Sequence, residues 1–168
     1  VLMECEHGRL HQNTETCRID FQPLAAAHGG PAVGRLLVTT FHNPWCVLLR
    51  FNTGDLVRLE ECGPCPCGRR EGLTGACIEG RAGNLTLTTR GRLVTERQLD
   101  EQLGSVAGLI AYELIQQAAG RYRLRCLAGR GSDVAPAAAA LRRLYGDDAS
   151  IAVSVETEIL PAPSGKFR

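Results

Sequence analysis

At 168 residues, with 44% apolar side chains, the chain suits one medium domain or two small ones and has enough apolar content to bury a core. Its 19 basic and 18 acidic side chains leave a formal charge of +1, without the basic excess of a nucleic-acid-binding surface. No apolar run approaches the ~18 residues of a membrane span and the start lacks the order of a signal peptide, so a soluble cytoplasmic protein with no nucleic-acid or membrane partner is expected.

The chain opens on Val1 with strand-like residues and no lead-in, as expected of a fragment. Residues 1 to about 80 read as short strands between turns. Segments 18–21, 35–41, 47–51 and 56–59 are β-favouring, and Gly29-Gly30-Pro31 and Asn52-Thr53-Gly54 punctuate them. From about residue 84 the pattern changes: 84–89 alternates at period two, and Arg90-Gly91 turns it toward 92–94. Thr95 with Gln98 three residues on predicts a capping box, and Leu99, Leu103 and Val106 share one helical face. Segments 109–115 and 121–127 read as strands about a Gly120 turn. Asp133 is placed to cap a second helix, with Pro136 in its first turn, Leu141, Leu144 and Tyr145 as its apolar stripe, and Gly146 at its end. Segment 149–155 is the last strand. The expected fold class is α+β: a small β-rich subdomain over residues 1–82, then a β-α-β-β-α-β two-layer sandwich over 83–168, with Gly83 as hinge.

Eight cysteines, at 5, 17, 46, 62, 65, 67, 77 and 126, could frame disulfides, but three crowd into Cys62-Gly-Pro-Cys65-Pro-Cys67. That crowding suits a metal better than crosslinks, and cytosolic thiols stay reduced. Cys65 and Cys67 are too few to close a site. Cys5 and His11 complete a tetrahedral set with zinc as the favoured ion, and Cys62 and His7 are rival ligands. A zinc joining residues 5–11 to 65–67 clamps the β-rich half shut, a structural rather than catalytic role. Cys17, Cys46, Cys77 and Cys126 lie in apolar or strand contexts and read as packing residues.

Asp55, after Asn52-Thr53-Gly54, reads as a carboxylate at the tip of a turn, able to accept hydrogen bonds from ribose hydroxyls, though such an Asp also serves plain turn chemistry. Arg81 could set a guanidinium on a hydroxyl or phosphate. Of the 19 basic side chains only Lys166 is a lysine, in Pro161-Ala-Pro-Ser-Gly-Lys166. Its ammonium is a compact charge able to slip between two oxygens of a reacting group, where arginine offers a wider planar fork. The plain alternative is one surface lysine left in an arginine-biased composition.

Taken in order, Cys5…His11, Gly34-Arg-Leu-Leu-Val-Thr-Thr40, Leu49-Arg-Phe-Asn-Thr-Gly-Asp55, Cys65-Pro-Cys-Gly-Arg69, Gly80-Arg81 and Gly165-Lys166 resemble the carboxy-terminal portion of the acyl-adenylate-forming (AMP-dependent) ligases. The likeness is to the branch of phenylacetate-coenzyme A ligase and coenzyme F390 synthetase, where a Glu-Cys…Leu-His segment and a Cys-x-Cys-Gly-Arg loop carry a zinc. The resemblance implies an enzyme that uses ATP and Mg2+, holds a structural Zn2+, activates a carboxylic acid and passes the acyl group to an acceptor such as coenzyme A. It implies that Asp55 and Arg81 bind the ribose of ATP and that Lys166 is catalytic, offsetting repulsion as carboxylate attacks phosphorus. It also implies that the small terminal domain rotates about its hinge between the two half-reactions. The family's phosphate loop, aromatic adenine segment and magnesium motif have no counterpart here, so the chain is expected to be inactive without a missing amino-terminal portion. Phe51 stands where the family uses Tyr, and Gly83-Asn84 replaces its acidic pair after Gly-Arg-Ala. The rival reading is a non-catalytic, zinc-stabilised small-molecule-binding or regulatory module, and either reading leaves room for a homodimer.

Overall fold

The computed structural model describes residues 1–61 and 63–160, so Cys62 and Lys166 lie outside the described residues. The chain divides into two compact units, Val1–Gly83 and Asn84–Arg168. The architecture is mixed α+β and dominated by sheet. No described helix is long and apolar enough to cross a membrane.

The first unit is a six-stranded antiparallel sheet. Its strands are β1 (Leu2–Glu4), β2 (Leu10–Gln12), β3 (Cys17–Pro23), β4 (Val33–Thr40), β5 (Phe51–Leu59) and β6 (Thr74–Arg81), in the order β1-β2-β6-β5-β4-β3. Alternation buries Cys17 and Ile19 of β3 with Leu36 and Val38 of β4, and Val57 of β5 completes this core.

The strand expected over 47–51 does not form before Phe51. The Asn43 side chain accepts hydrogen bonds from Trp45 N and Cys46 N, both 3.2 Å, and Thr39 and Thr40 hydroxyls accept from Arg50 N and Leu48 N, both 3.0 Å. Side-chain acceptors thus take amides that a ladder would have used. Nor is Asn52-Thr53-Gly54 a turn between strands. It lies inside β5 as a bulge: Leu56 pairs with Arg35 and Asn52 with Leu37, so Leu36 alone faces three residues. Gly54, at φ 79°, supplies the left-handed backbone that the bulge needs.

The second unit has a separate hairpin, β7 (Thr86–Leu87) with β8 (Leu93–Val94), and a three-stranded sheet of β9 (Leu109–Ala118), β10 (Arg121–Ala128) and β11 (Ser150–Glu156). Helices α1 (Glu96–Leu103) and α2 (Ala135–Tyr145) complete it. The strand expected over 84–89 is cut short, because Ala82–Asn84 coils into a 3-10 turn and the Asn84 amide donates to Glu96 Oε1 at 2.6 Å. The Thr95–Gln98 capping box forms as the spacing predicts. Val134, not Asp133, is the N-cap of α2, while Asp133 Oδ1 accepts from Ala135 N at 2.8 Å.

β10 pairs antiparallel with β9 and parallel with β11, and its period-two pattern buries Tyr122, Leu124 and Cys126. These meet Leu99 and Leu103 of α1 and Ala137, Ala140, Leu141 and Tyr145 of α2 in one core. The rings of Tyr122 and Tyr145 lie 4.3 Å apart. Burial pushes the Tyr145 phenol up to about 12, so its hydroxyl stays protonated beside Thr86. Leu124→Ala should destabilise this unit by about 2–5 kcal/mol, whereas Ile110→Ala, at a side chain 66% exposed, should shift stability by no more than about 0.5 kcal/mol. Urea unfolding followed by circular dichroism checks both; equal losses would contradict this assignment of the core.

Candidate functional site

Four side chains from distant parts of the sequence converge in the first unit. Cys5 follows β1, His11 is the middle residue of β2, and Cys65 and Cys67 lie on the loop between β5 and β6. Their ligating atoms all fall within 4.8 Å of one another. Two tight turns hold the cysteines in place. Gly8 N donates to Cys5 O at 2.9 Å and Gly68 N to Cys65 O at 3.2 Å, with both glycines at positive φ. Cys5, His11 and Cys65 are buried and Cys67 half-buried.

The spacing fits a tetrahedral ion. Zinc–sulfur bonds of about 2.3 Å set sulfurs about 3.8 Å apart, and a zinc–nitrogen bond of about 2.0 Å sets sulfur and nitrogen about 3.5 Å apart. Cys5 Sγ lies 3.7 Å from Cys65 Sγ, and Cys67 Sγ 3.3 Å from His11 Nε2. A disulfide would need about 2.05 Å, and Cys5, Cys65 and Cys67 are free thiols. His11 Nε2 faces the sulfurs and Nδ1 lies 3.4 Å from Thr74 Oγ1, so a metal on Nε2 would leave an Nδ1–H able to donate to that hydroxyl. Thr74 had no signal in the sequence, because only strand pairing places it opposite His11. His7, a rival ligand, is half exposed beside Glu6 and outside the group.

Burial raises the Cys5 thiol, but backbone hydrogen bonds from His7 and Arg9 and side-chain bonds from His11 and Cys65 outweigh it and bring it down to about 6. At Cys65 a backbone hydrogen bond from Cys67 acts downward, yet burial and the Cys67 and Cys5 sulfurs push the thiol up. Without a cation, charge is thus carried unequally by the two neighbouring sulfurs. A divalent ion stabilises both as thiolates.

Asp55 and Arg81 also meet. They are register partners in β5 and β6, and Arg81 Nε lies 3.0 Å from Asp55 Oδ1. Asp55 is not at a turn tip but at the end of the bulge, where its N–H donates to Thr53 Oγ1 at 3.2 Å. Arg81 Nη1 reaches Thr53 O at 3.4 Å, and the Arg81 side chain is 55% exposed. Lys166 lies outside the described residues.

No family model matches the chain, and no curated protein matches it. Solved structures do match. 2-Hydroxyisobutyryl-CoA ligase, in its postadenylation state, superposes with a TM-score of 0.68 at 16% identity over 95% of this chain and 36% of that one. At this identity the likeness is one of fold. The amide bond synthetase McbA from Marinactinospora thermotolerans gives 0.58 at 16% identity, over 89% of this chain and 33% of that one. O-succinylbenzoate coenzyme A synthetase from Bacillus subtilis, in complex with AMP, gives 0.55 at 12% identity, over 90% and 32%. The chain thus spans about a third of the length of these solved structures.

Metal analysis of the purified chain should find about one zinc per molecule, and Cys65→Ser should remove most of it and lower the unfolding temperature. Metal absent from both proteins, or retained fully by the variant, would refute the site.

Proposed function

We propose that the chain is the carboxy-terminal part of an ATP-dependent acyl-adenylate-forming ligase of the phenylacetate-coenzyme A ligase type. The whole enzyme converts a carboxylic acid and ATP-Mg2+ to an acyl-adenylate, then transfers the acyl group to coenzyme A or another acceptor. Fold likeness over 95% of the chain to 2-hydroxyisobutyryl-CoA ligase is the observation that carries this reading. The ordered motifs of the sequence support it independently. The first unit also exposes Trp45 at 95% and Val47 and Leu49 at 79% each, an apolar cluster suited to cover by a missing amino-terminal portion.

In this reading Asp55 and Arg81 act as one unit. The guanidinium holds the carboxylate in place through Nε, and the carboxylate's remaining lone pairs accept the ribose hydroxyls. The bulge matters because it aligns Asp55 with Arg81 at the end of β6. Lys166, on the small terminal domain of residues 83–168, supplies positive charge between the carboxylate and the α-phosphate as the two anions approach. Cys5, His11, Cys65 and Cys67 hold zinc as a structural clamp, with no part in the chemistry.

In the full-length enzyme, Lys166→Ala should lower acid-dependent ATP–pyrophosphate exchange by about 100-fold or more while leaving metal content and unfolding temperature unchanged. An unaltered exchange rate would overturn the role given to Lys166 and favour a binding module. Exchange catalysed by the 168 residues alone would contradict the requirement for a missing portion. Asp55→Asn should raise the KM for ATP by about 10-fold, consistent with weakening a charge-assisted hydrogen bond; an unchanged KM would remove Asp55 from the ribose.

A further inference from the structure

β11 is one edge of the three-stranded sheet in the Asn84–Arg168 unit, and among the described residues no strand pairs with its outer side. Its pairing with β10 is parallel, a ladder in which alternate residues bond the neighbour and those between them face away. Ser150 N donates to Gly120 O at 2.9 Å. Ser150, Ala152, Ser154 and Glu156 therefore bond β10, while Ile151, Val153 and Val155 turn N–H and C=O outward. Such an edge is a template for another strand, and β11 carries neither Lys nor Pro, the usual guards against one.

The strand is its own complement. Residues opposed across a ladder must lie on one side of the sheet, and an antiparallel copy turned about a two-fold at Val153 satisfies this along the whole strand. Val153 then faces its own copy, Ile151 faces Val155, Ala152 faces Ser154, and Ser150 faces Glu156. The residues with outward backbone groups are the ones that oppose one another, so each outward N–H meets a C=O. They also share the helix-facing side, opposite Tyr122, Leu124 and Cys126 of β10. Ile151 and Val153 already pack on the core, whereas Val155 is 60% exposed and would be covered by Ile151 of the second copy.

Charge fits the same arrangement. On the other side of the sheet Arg121 lies beside Ser150 and Arg123 beside Ala152, both exposed and neither ion-paired among the described residues. Glu156 of the second copy would face Ser150, two strand spacings or about 10 Å from Arg121, which two long side chains can span across a small serine. Both contacts that Glu156 makes within its own chain use Oε1, at 3.4 Å from Arg125 Nε and 2.8 Å from Ser154 Oγ. The two Glu156 carboxylates would lie at opposite ends of the ladder, about 20 Å apart, beyond strong repulsion. An unrelated strand would satisfy the backbone, whereas a second copy also matches the apolar row and the charges. We propose that β11 pairs antiparallel with β11 of a second copy about a two-fold at Val153, joining the two sheets into one. The interface is small, so the dimer is a weak one.

Sedimentation equilibrium of the purified chain, with amide exchange read by NMR over the same concentrations, tests this. A reversible monomer–dimer equilibrium is expected. The amides of Ile151, Val153 and Val155 should exchange about 10-fold or more slowly at high than at low concentration, while those of Ala152 and Ser154, bonded to β10 in either state, change far less. Val155→Lys puts a charge on the edge and should weaken dimerisation about 10-fold or more. Arg121→Glu should weaken it about 3-fold or more. Trp45→Ser, in the exposed apolar cluster of the first unit, should leave it unchanged. Unchanged circular dichroism and unfolding midpoint establish that each variant is folded. The proposal is overturned by a chain that stays monomeric at millimolar concentration, by dimerisation lost with Trp45→Ser and kept with Val155→Lys, or by concentration-dependent protection that spares Ile151, Val153 and Val155.

Discussion

The β-rich unit depends on a short seam. β2 meets β6 through two register pairs, Leu10 with Gly75 and His11 with Thr74, and by this contact the β1–β2 hairpin joins the rest of the sheet. So brief a ladder is marginal by itself. The Cys5, His11, Cys65 and Cys67 group lies across it, two residues on the hairpin side and two on the loop that leads into β6. The Arg9–Glu60 ion pair crosses the same seam. A metal bound there would turn a weak joint into a fixed one, because ligands more than 50 residues apart share one ion.

β6 carries that constraint onward. It begins at Thr74, beside His11, and ends at Arg81, opposite Asp55. At about 3.3 Å per residue the strand separates the two features by about 23 Å. Glu79, buried at 1% exposure, binds Arg58 Nε at 2.6 Å and stitches β5 to β6 between them. Removing Arg58 would take a guanidinium from a buried carboxylate, so the sheet has reason to keep it. The proposed nucleotide contact thus sits at the far end of a strand whose near end carries the Cys and His group.

What was legible in the sequence depended on whether local chemistry decided the structure. The Thr95–Gln98 capping box and the alternation of Tyr122, Leu124 and Cys126 were legible because each is fixed within a few residues. The Cys and His group was legible as a set, since thiol and imidazole donors at Gly- and Pro-rich turns point to one kind of partner. Residues 47–51 misled because their β-favouring side chains do not reveal that the threonine hydroxyls of β4 capture their amides. Asn52-Thr53-Gly54 misled for a related reason: the same residues suit a turn and a bulge, and only pairing with β4 decides between them. The ion pair of Asp55 with Arg81 required the register of two strands, which no local pattern encodes.

Strand β6 links the Cys and His group at one end to the proposed nucleotide contact of Asp55 and Arg81 at the other. Hydrogen exchange on the full-length protein, with and without a non-hydrolysable acyl-adenylate mimic, tests that link most directly. The account predicts slowed exchange at the bulge of residues 52–55 and at the end of β6 around Arg81, with the Cys65 to Cys67 loop already protected before the mimic is added. Unchanged exchange at both the bulge and the β6 end, with protection elsewhere, would contradict it.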